Sequence, residues 1–344
     1  MKVVFLTKFE VDGRFTMIMC EGLLNHPKIE VSFLQPFVSF GRKVALAIPK
    51  NRLWNELMEA DLIFLVTLAY RDKRFFDRWD IVQFLDDNNL WNKVIYLDHD
   101  DSPELDYQIL NKCLVYAKRS WPIGSERKPR EETEVLHPIN YCALNAYVEL
   151  FGAPFFKDEN RPINIGAFFH TYNLQTPDVC RRRANLLQVL LEEEKNLPSP
   201  CSIGECTNDR WGDHRTSMSI YEPINENHLW GNYMKELHKC KIIFTASPHF
   251  HDGGNREWEA ISSGALIFMS KSEIPTPHWF EDGKHCFIYD AMDKNSIRKA
   301  VNIAKEYLNK LKERWAIAKA GYDHMLKYHM PINRIQQILD WAGK

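Results

Sequence analysis

The sequence predicts an α/β chain made of two Rossmann-like domains in tandem. Three observations carry that prediction. The chain has 344 residues, and domains run to about 100–200 residues each. Short apolar runs of strand type alternate with stretches of helical apolar spacing through both halves. Between the halves, residues 152–162 (GAPFFKDENRP) have the proline, glycine and charge content of a linker. This places the boundary near 155/156.

In the first half, Val3–Leu6 reads as a buried strand, followed by a loop with Asp12 and Gly13. Phe15–Leu24 has helical spacing and stops at Asn25-His26-Pro27. Val31–Leu34 reads as a second strand. Leu53, Leu57 and Ala60 share one helix face. Leu62–Val66 is a continuous apolar run, the pattern of a strand covered on both faces. Phe75–Leu85 reads as helix, then Val94–Leu97 and Cys113–Ala117 as strands. Strands separated by helices imply a parallel sheet with right-handed crossovers.

The second half repeats the alternation. Ile163–Phe169 reads as a strand and Val179–Glu194 as a helix with Leu186, Leu187, Leu190 and Leu191 inward. Ile242–Ala246 is a strand, 255–263 a helix and Ala265–Met269 a strand. Ser296–Tyr328 reads as one long amphipathic helix, with Ile297, Val301, Ala304, Leu308, Leu311 and Trp315 on its apolar face. Pro331 interrupts it, and Asn333–Trp341 is a last helix. Two such domains predict a cleft lined by the carboxyl ends of both sheets.

Composition narrows the function classes. With 44 basic and 46 acidic residues the net charge is -2, which argues against nucleic acid as partner because phosphate neutralisation needs a basic excess. The eight cysteines form no CxxC pair and read as free thiols. No run approaches the roughly 18 apolar residues of a membrane span. The opening MKVVFLTKF lacks the pattern of a signal peptide, so the reading is a cytoplasmic protein. No Walker loop and no GxGxxG is present.

Residues 240–283 carry the chemistry. A buried strand enters a loop holding Gly253 and Gly254, and the loop opens into a helix at Asn255. Glycine lets backbone approach a ligand closely, and the amino end of a helix favours an anion such as a diphosphate. Arg256 in the first turn opposes the helix dipole, which points to another task such as phosphate contact. Glu259 lies on the same face at i, i+3, and its carboxylate can accept from two ribose hydroxyls. A solvated Arg256–Glu259 surface pair explains the spacing equally well.

The pattern R-x-x-E-A-x-x-x-G-A-L, followed by P-x-x-F-x-x-G, occurs here as Arg256, Glu259, Ala260, Gly264, Ala265 and Leu266, then Pro277, Phe280 and Gly283. It resembles the nucleotide-sugar site of GT-B glycosyltransferases, in the group-1-like branch that includes the spore-maturation type. The resemblance runs from the 233–241 segment to the C-terminal helices, about the last 120 residues. It implies that Glu259 binds the donor ribose and that the glycine loop with the helix start binds phosphate. It also implies that residues 326–344 cross back to the first domain, leaving 1–155 for the acceptor and 156–325 for the nucleotide sugar. Retaining relatives carry a second Glu eight residues ahead of the ribose Glu, where this chain has His251 beside Asp252. Inversion or retention is therefore open.

The resulting expectation is a metal-independent transferase with no obligatory cofactor. It would move a sugar from a nucleoside-diphosphate sugar to a hydroxyl of a glycan or glycoconjugate. Asp12, in the loop after the first strand, is the candidate base for an acceptor hydroxyl, and an ordinary Asp-Gly turn is its alternative. His251 is the second candidate catalytic residue, through the donor sugar or phosphate. His170, Thr171 and Arg181 are candidate donor contacts, and Gly13 and Asp100 are candidates on the acceptor side. Two other classes compete. Asp98 and Asp100 form a DxD after a strand, the pattern with which GT-A transferases hold a divalent metal on the donor diphosphate. A non-catalytic sugar-nucleotide-binding protein would explain the incomplete double-Glu motif, and a sugar-nucleotide epimerase of the same fold is a weaker option.

Overall fold

A computed structural model describes residues 1–6, 13–34, 37–38, 44–45, 47–66, 78–99, 105–119, 134–151, 161–169, 177–205, 231–247 and 254–344. The chain divides into two compact units. The first runs from Met1 to Asn140 and takes in Pro331–Lys344; the second begins at Tyr141 and ends at Met330. The division thus falls ahead of the 155/156 position suggested by composition. The segment 141–144 is buried throughout, so no polar linker composition announces the division there.

The first unit is built on a parallel sheet of six strands in the order β2-β1-β5-β6-β7-β8. These are β1 (Lys2–Leu6), β2 (Glu30–Phe33), β5 (Leu62–Val66), β6 (Val94–Asp98), β7 (Val115–Lys118) and β8 (Leu136–Pro138). Every pair is parallel. β5 and β6 are buried along their full length, as their unbroken apolar runs demand. A short antiparallel pair, β3 (Phe37–Val38) with β4 (Val44–Ala45), has no counterpart in the sequence reading. The helices are α1 (Gly13–Asn25), α2 (Leu53–Glu59), α3 (Arg78–Asp87) and α4 (Tyr107–Leu110). Gly13 is the first residue of α1, not a loop residue. The terminal helix α11 (Pro331–Trp341) packs on α1. A side chain at Gly22 would meet Ile335 Cγ1 at 2.5 Å and the Pro331 carbonyl oxygen at 2.6 Å. Pro331 opens α11, the position where its missing N–H costs nothing.

The second unit has a five-stranded parallel sheet in the order β10-β9-β11-β12-β13. Its strands are β9 (Ile163–Phe169), β10 (Cys201–Glu205), β11 (Cys240–Thr245), β12 (Leu266–Ser270) and β13 (Phe287–Tyr289). Its helices are α5 (Asn145–Phe151), α6 (Pro177–Glu193), α7 (Gly231–His238), α8 (Asn255–Ser262), α9 (Lys294–Asn309) and α10 (Leu311–Tyr328). One face of β11, through Ile242, Phe244 and Ala246, packs with Leu186, Val189 and Leu190 of α6 and with Ile297, Val301 and Ala304 of α9. Strand alternation puts Ile243, Thr245 and Ser247 on the opposite face. Leu191, expected inward, is 48% exposed, because it sits about 100° around the helix from Leu190.

The long helix expected over 296–328 is two helices. The break is at Lys310 (φ −98°, ψ 66°). Nη1 of the buried Arg314 donates to the carbonyl oxygens of Tyr307 and Leu308, so the second helix caps the end of the first. Leu311, beyond the break, leaves the apolar face and is 37% exposed. Among the described residues no helix is long and apolar enough to cross a membrane. The six described cysteines are free thiols.

Candidate functional site

In the second sheet the chain leaves β9 toward β10 on one side and leaves β11 toward β12 on the other. β9 and β11 are neighbours, and their carboxyl ends flank the point where the strand order reverses, the usual ligand position in an open parallel sheet. His170 and Thr171 follow β9 directly, and His251 and Gly253 belong to the connection from β11 to α8. All four lie outside the described residues, as do Asp12 and Asp100.

α8 opens on Gly254 (φ −61°, ψ 168°), a residue with no side chain to cap the first turn. The helix is covered on nearly every side: Arg256 through Ser262 are all buried. A surface ion pair between Arg256 and Glu259, the plain reading of their spacing, is therefore ruled out. Arg256 lies over the Tyr233 ring at 5.2 Å, and its Nη1 donates to the Phe168 carbonyl oxygen at 3.1 Å. It ties the carboxyl end of β9 to the amino end of α8. Glu259 is 1% exposed, and its Oε1 accepts from the Tyr147 hydroxyl at 3.4 Å. Gly264 closes the turn after α8 at φ 73°, a left-handed conformation suited to glycine.

The carboxyl end of β11 is furnished with polar groups that the motif did not mark. The Tyr289 hydroxyl donates to the Thr245 carbonyl oxygen at 2.7 Å. Burial pushes that hydroxyl's pKa well above its ordinary value, and the nearby Glu257 charge adds to it. Arg183 Nε donates to the Ala246 carbonyl oxygen at 3.0 Å, and the Ser247 N–H donates to Ser270 Oγ at 3.0 Å. Thr245 Oγ1 and Ser247 Oγ are buried and have no hydrogen-bond partner among the described residues. Buried hydroxyls are normally paired, because an unmet one costs about 1–3 kcal/mol. Of the three consecutive arginines, Arg181 is exposed, whereas Arg182 and Arg183 are buried. Arg182 Nη2 pairs with Glu273 Oε1 at 2.8 Å. The inward arginines at this sheet edge are thus 182 and 183, one and two positions beyond the expected Arg181.

In the first unit, Asp98 has another task than metal binding. Lys118 Nζ stands 3.2 Å from its Oδ1, with both side chains buried. The Tyr116 hydroxyl donates to its Oδ2 at 2.6 Å and in turn accepts from the Asp106 N–H at 2.9 Å. Burial, then the Asp98 charge, raises the Tyr116 pKa far above its usual value. Both carboxylate oxygens serve this network, which gives Asp98 a structural role at the end of β6. His99, the next residue, is buried, packs edge-on against Phe15 at 5.6 Å, and accepts from Arg119 Nε through its carbonyl oxygen.

Residues 181–340 match a family model described as glycosyl transferase-like. No curated protein sequence matches the chain. Among solved structures, the chain is similar to an alpha-glucosyltransferase in complex with UDP, at 9% identity and a TM-score of 0.60, over 100% of both chains. The same enzyme type in complex with UDP-glucose and DNA containing an abasic site gives 10% identity and a TM-score of 0.61, over 100% of this chain and 99% of the other. HepE of Anabaena in complex with UDP and glucose gives 11% and 0.54, with 100% and 99% covered. These likenesses extend through both units, beyond the segment that the family model matches.

Proposed function

We propose that this chain, a glycosyltransferase of the GT-B fold, takes its sugar from a uridine-diphosphate sugar and binds that donor at the carboxyl edge of the second sheet. The observation that carries the placement is the pair of buried hydroxyls at the end of β11, Thr245 Oγ1 and Ser247 Oγ, which have no hydrogen-bond partner among the described residues. They stand at the carboxyl end of β11, where the strand order reverses, on the strand that precedes α8. The UDP-bound and UDP-glucose-bound neighbours support the choice of a uridine nucleotide.

In this reading the first turn of α8 faces the diphosphate, and its N–H groups and dipole stabilise the charge that develops as the diphosphate leaves. Arg256 fixes the α8 start against β9 through Phe168. Glu259 accepts from the ribose hydroxyls. Thr245 and Ser247 donate to donor oxygens, Gly253, Gly254 and Asn255 allow close backbone approach, and His170, Thr171 and His251 are further proposed donor contacts. The first unit, through Asp12, Gly13 and Asp100, takes the acceptor, and Asp12 removes the proton of the attacking hydroxyl. The reaction proceeds without an obligatory metal, in the cytoplasm. A glycan or glycoconjugate hydroxyl is the proposed acceptor. Net charge alone does not exclude nucleic acid, since similar structures include DNA complexes.

A thermal-shift screen of the four nucleoside diphosphates and their sugars tests the reading. About 2.7 kcal/mol of stabilisation is expected at 100 times the dissociation constant, strongest for the uridine compounds and unchanged by EDTA. Transfer assays offering a glycan and an oligonucleotide then separate the acceptors. Absence of any nucleotide-dependent shift would remove the assignment.

A further inference from the structure

The Glu259 carboxylate meets the hydroxyl of a residue far away in sequence. Tyr147 lies on α5 and is 2% exposed, and its hydroxyl meets Glu259 Oε1 at 3.4 Å across 112 positions of chain. Both ends of this contact are held. Ahead of α5, the Ala143 N–H donates to the His329 carbonyl oxygen at 3.0 Å, and residues 141–144 are buried. Behind α8, Arg161 donates from Nη1 to the Cys240 carbonyl oxygen and from Nη2 to the Ser263 carbonyl oxygen, each at 2.7 Å. Between them, Trp258 is enclosed by Trp279, Phe280 and His329. α5 and α8 pack directly on one another.

A buried ring with nothing to direct would be served as well by phenylalanine, because a buried hydroxyl carries a desolvation cost. The hydroxyl here points at a carboxylate oxygen. At 3.4 Å the contact is longer than the usual 2.7–2.8 Å of an O–H···O bond. Its loss therefore costs the fold little. We infer that Tyr147 is a positioning residue of the donor site, holding the Glu259 carboxylate in the orientation that reads the ribose hydroxyls of a nucleoside diphosphate. This inference rests on the reading of Glu259 as the ribose contact.

The test is calorimetric titration of the full chain with the tightest-binding of the four nucleoside diphosphates and with its 2′-deoxy counterpart. Tyr147→Phe is expected to weaken the ribonucleotide about 5- to 10-fold while leaving the deoxynucleotide and the ligand-free melting temperature nearly unchanged, so the ribo/deoxy ratio contracts. Glu259→Gln is expected to abolish the ratio. If Glu259→Gln abolishes it and Tyr147→Phe leaves it intact, Tyr147 only packs and the inference falls alone. If Glu259→Gln also leaves it intact, the ribose reading falls and takes the inference with it. Failure of all four diphosphates to bind overturns both.

Discussion

The carboxyl edges of the two sheets treat their polar residues in opposite ways. In the first unit β6 and β7 bring Asp98, Tyr116 and Lys118 together, and these groups satisfy one another with both charges buried. In the second, β11 brings up Thr245 and Ser247, whose hydroxyls no described residue meets. Both sheets are parallel and place their second strand outside their first, so the difference lies in the side chains and not in the topology. An edge whose polar groups are paired among themselves supports the fold. At the second edge the buried hydroxyls find no such partner among the described residues, and the proposed donor site rests on that difference.

The largest expected effect breaks the closed edge. Lys118→Met leaves Asp98 buried without its cation and should cost about 3–5 kcal/mol of stability, read by chemical denaturation. Pairing it with Asp98→Leu should recover much of that loss, because the desolvation of both charges is removed together. Nucleotide affinity measured on whatever folds should be unchanged; a matching fall in affinity would erase the distinction between the two edges. Next comes Glu259→Ala, which should weaken nucleoside-diphosphate binding by about 2–3 kcal/mol, the value of hydrogen bonds to a charged group, and abolish most of the thermal shift. An unchanged shift would remove Glu259 from the site. The smallest effects sharpen the open edge. Thr245→Val and Ser247→Ala should each leave ligand-free stability within about 0.5 kcal/mol or raise it, since an unmet hydroxyl is exchanged for an apolar group. Each should still weaken the donor by about 1 kcal/mol in titration. Lost stability with intact binding would mean that these hydroxyls have partners inside the protein.

The sequence made some of this legible and concealed the rest for physical reasons. Leu62–Val66 and Val94–Leu97 were readable because strands covered on both faces must be apolar at every position. β13 (Phe287–Tyr289) and β8 (Leu136–Pro138) are three-residue edge strands, too short to show a period. The break at Lys310 has no proline or glycine to announce it; it is made by Arg314 reaching back to two carbonyls. Within the site, the Arg256–Glu259 spacing and the glycines before Asn255 were visible as a local motif. Thr245 and Ser247 were not, because one hydroxyl in an apolar strand looks neutral until burial is known. Nor does any sequence signal distinguish Arg181 from Arg182 and Arg183, which differ only in which side of α6 they occupy. Tyr147 was out of reach of any local pattern, since its partner lies 112 residues on.

The seating of α11 on α1 sets an order for biosynthesis. The notch at Gly22 is filled by Ile335 and the Pro331 backbone, a stretch that leaves the ribosome after the whole of the second unit. Until then α1 lacks this cover, while every segment of the second unit has already emerged. The part translated first is therefore completed last, and trimming residues 331–344 should leave nascent chains that depend on chaperones even though their second unit is whole.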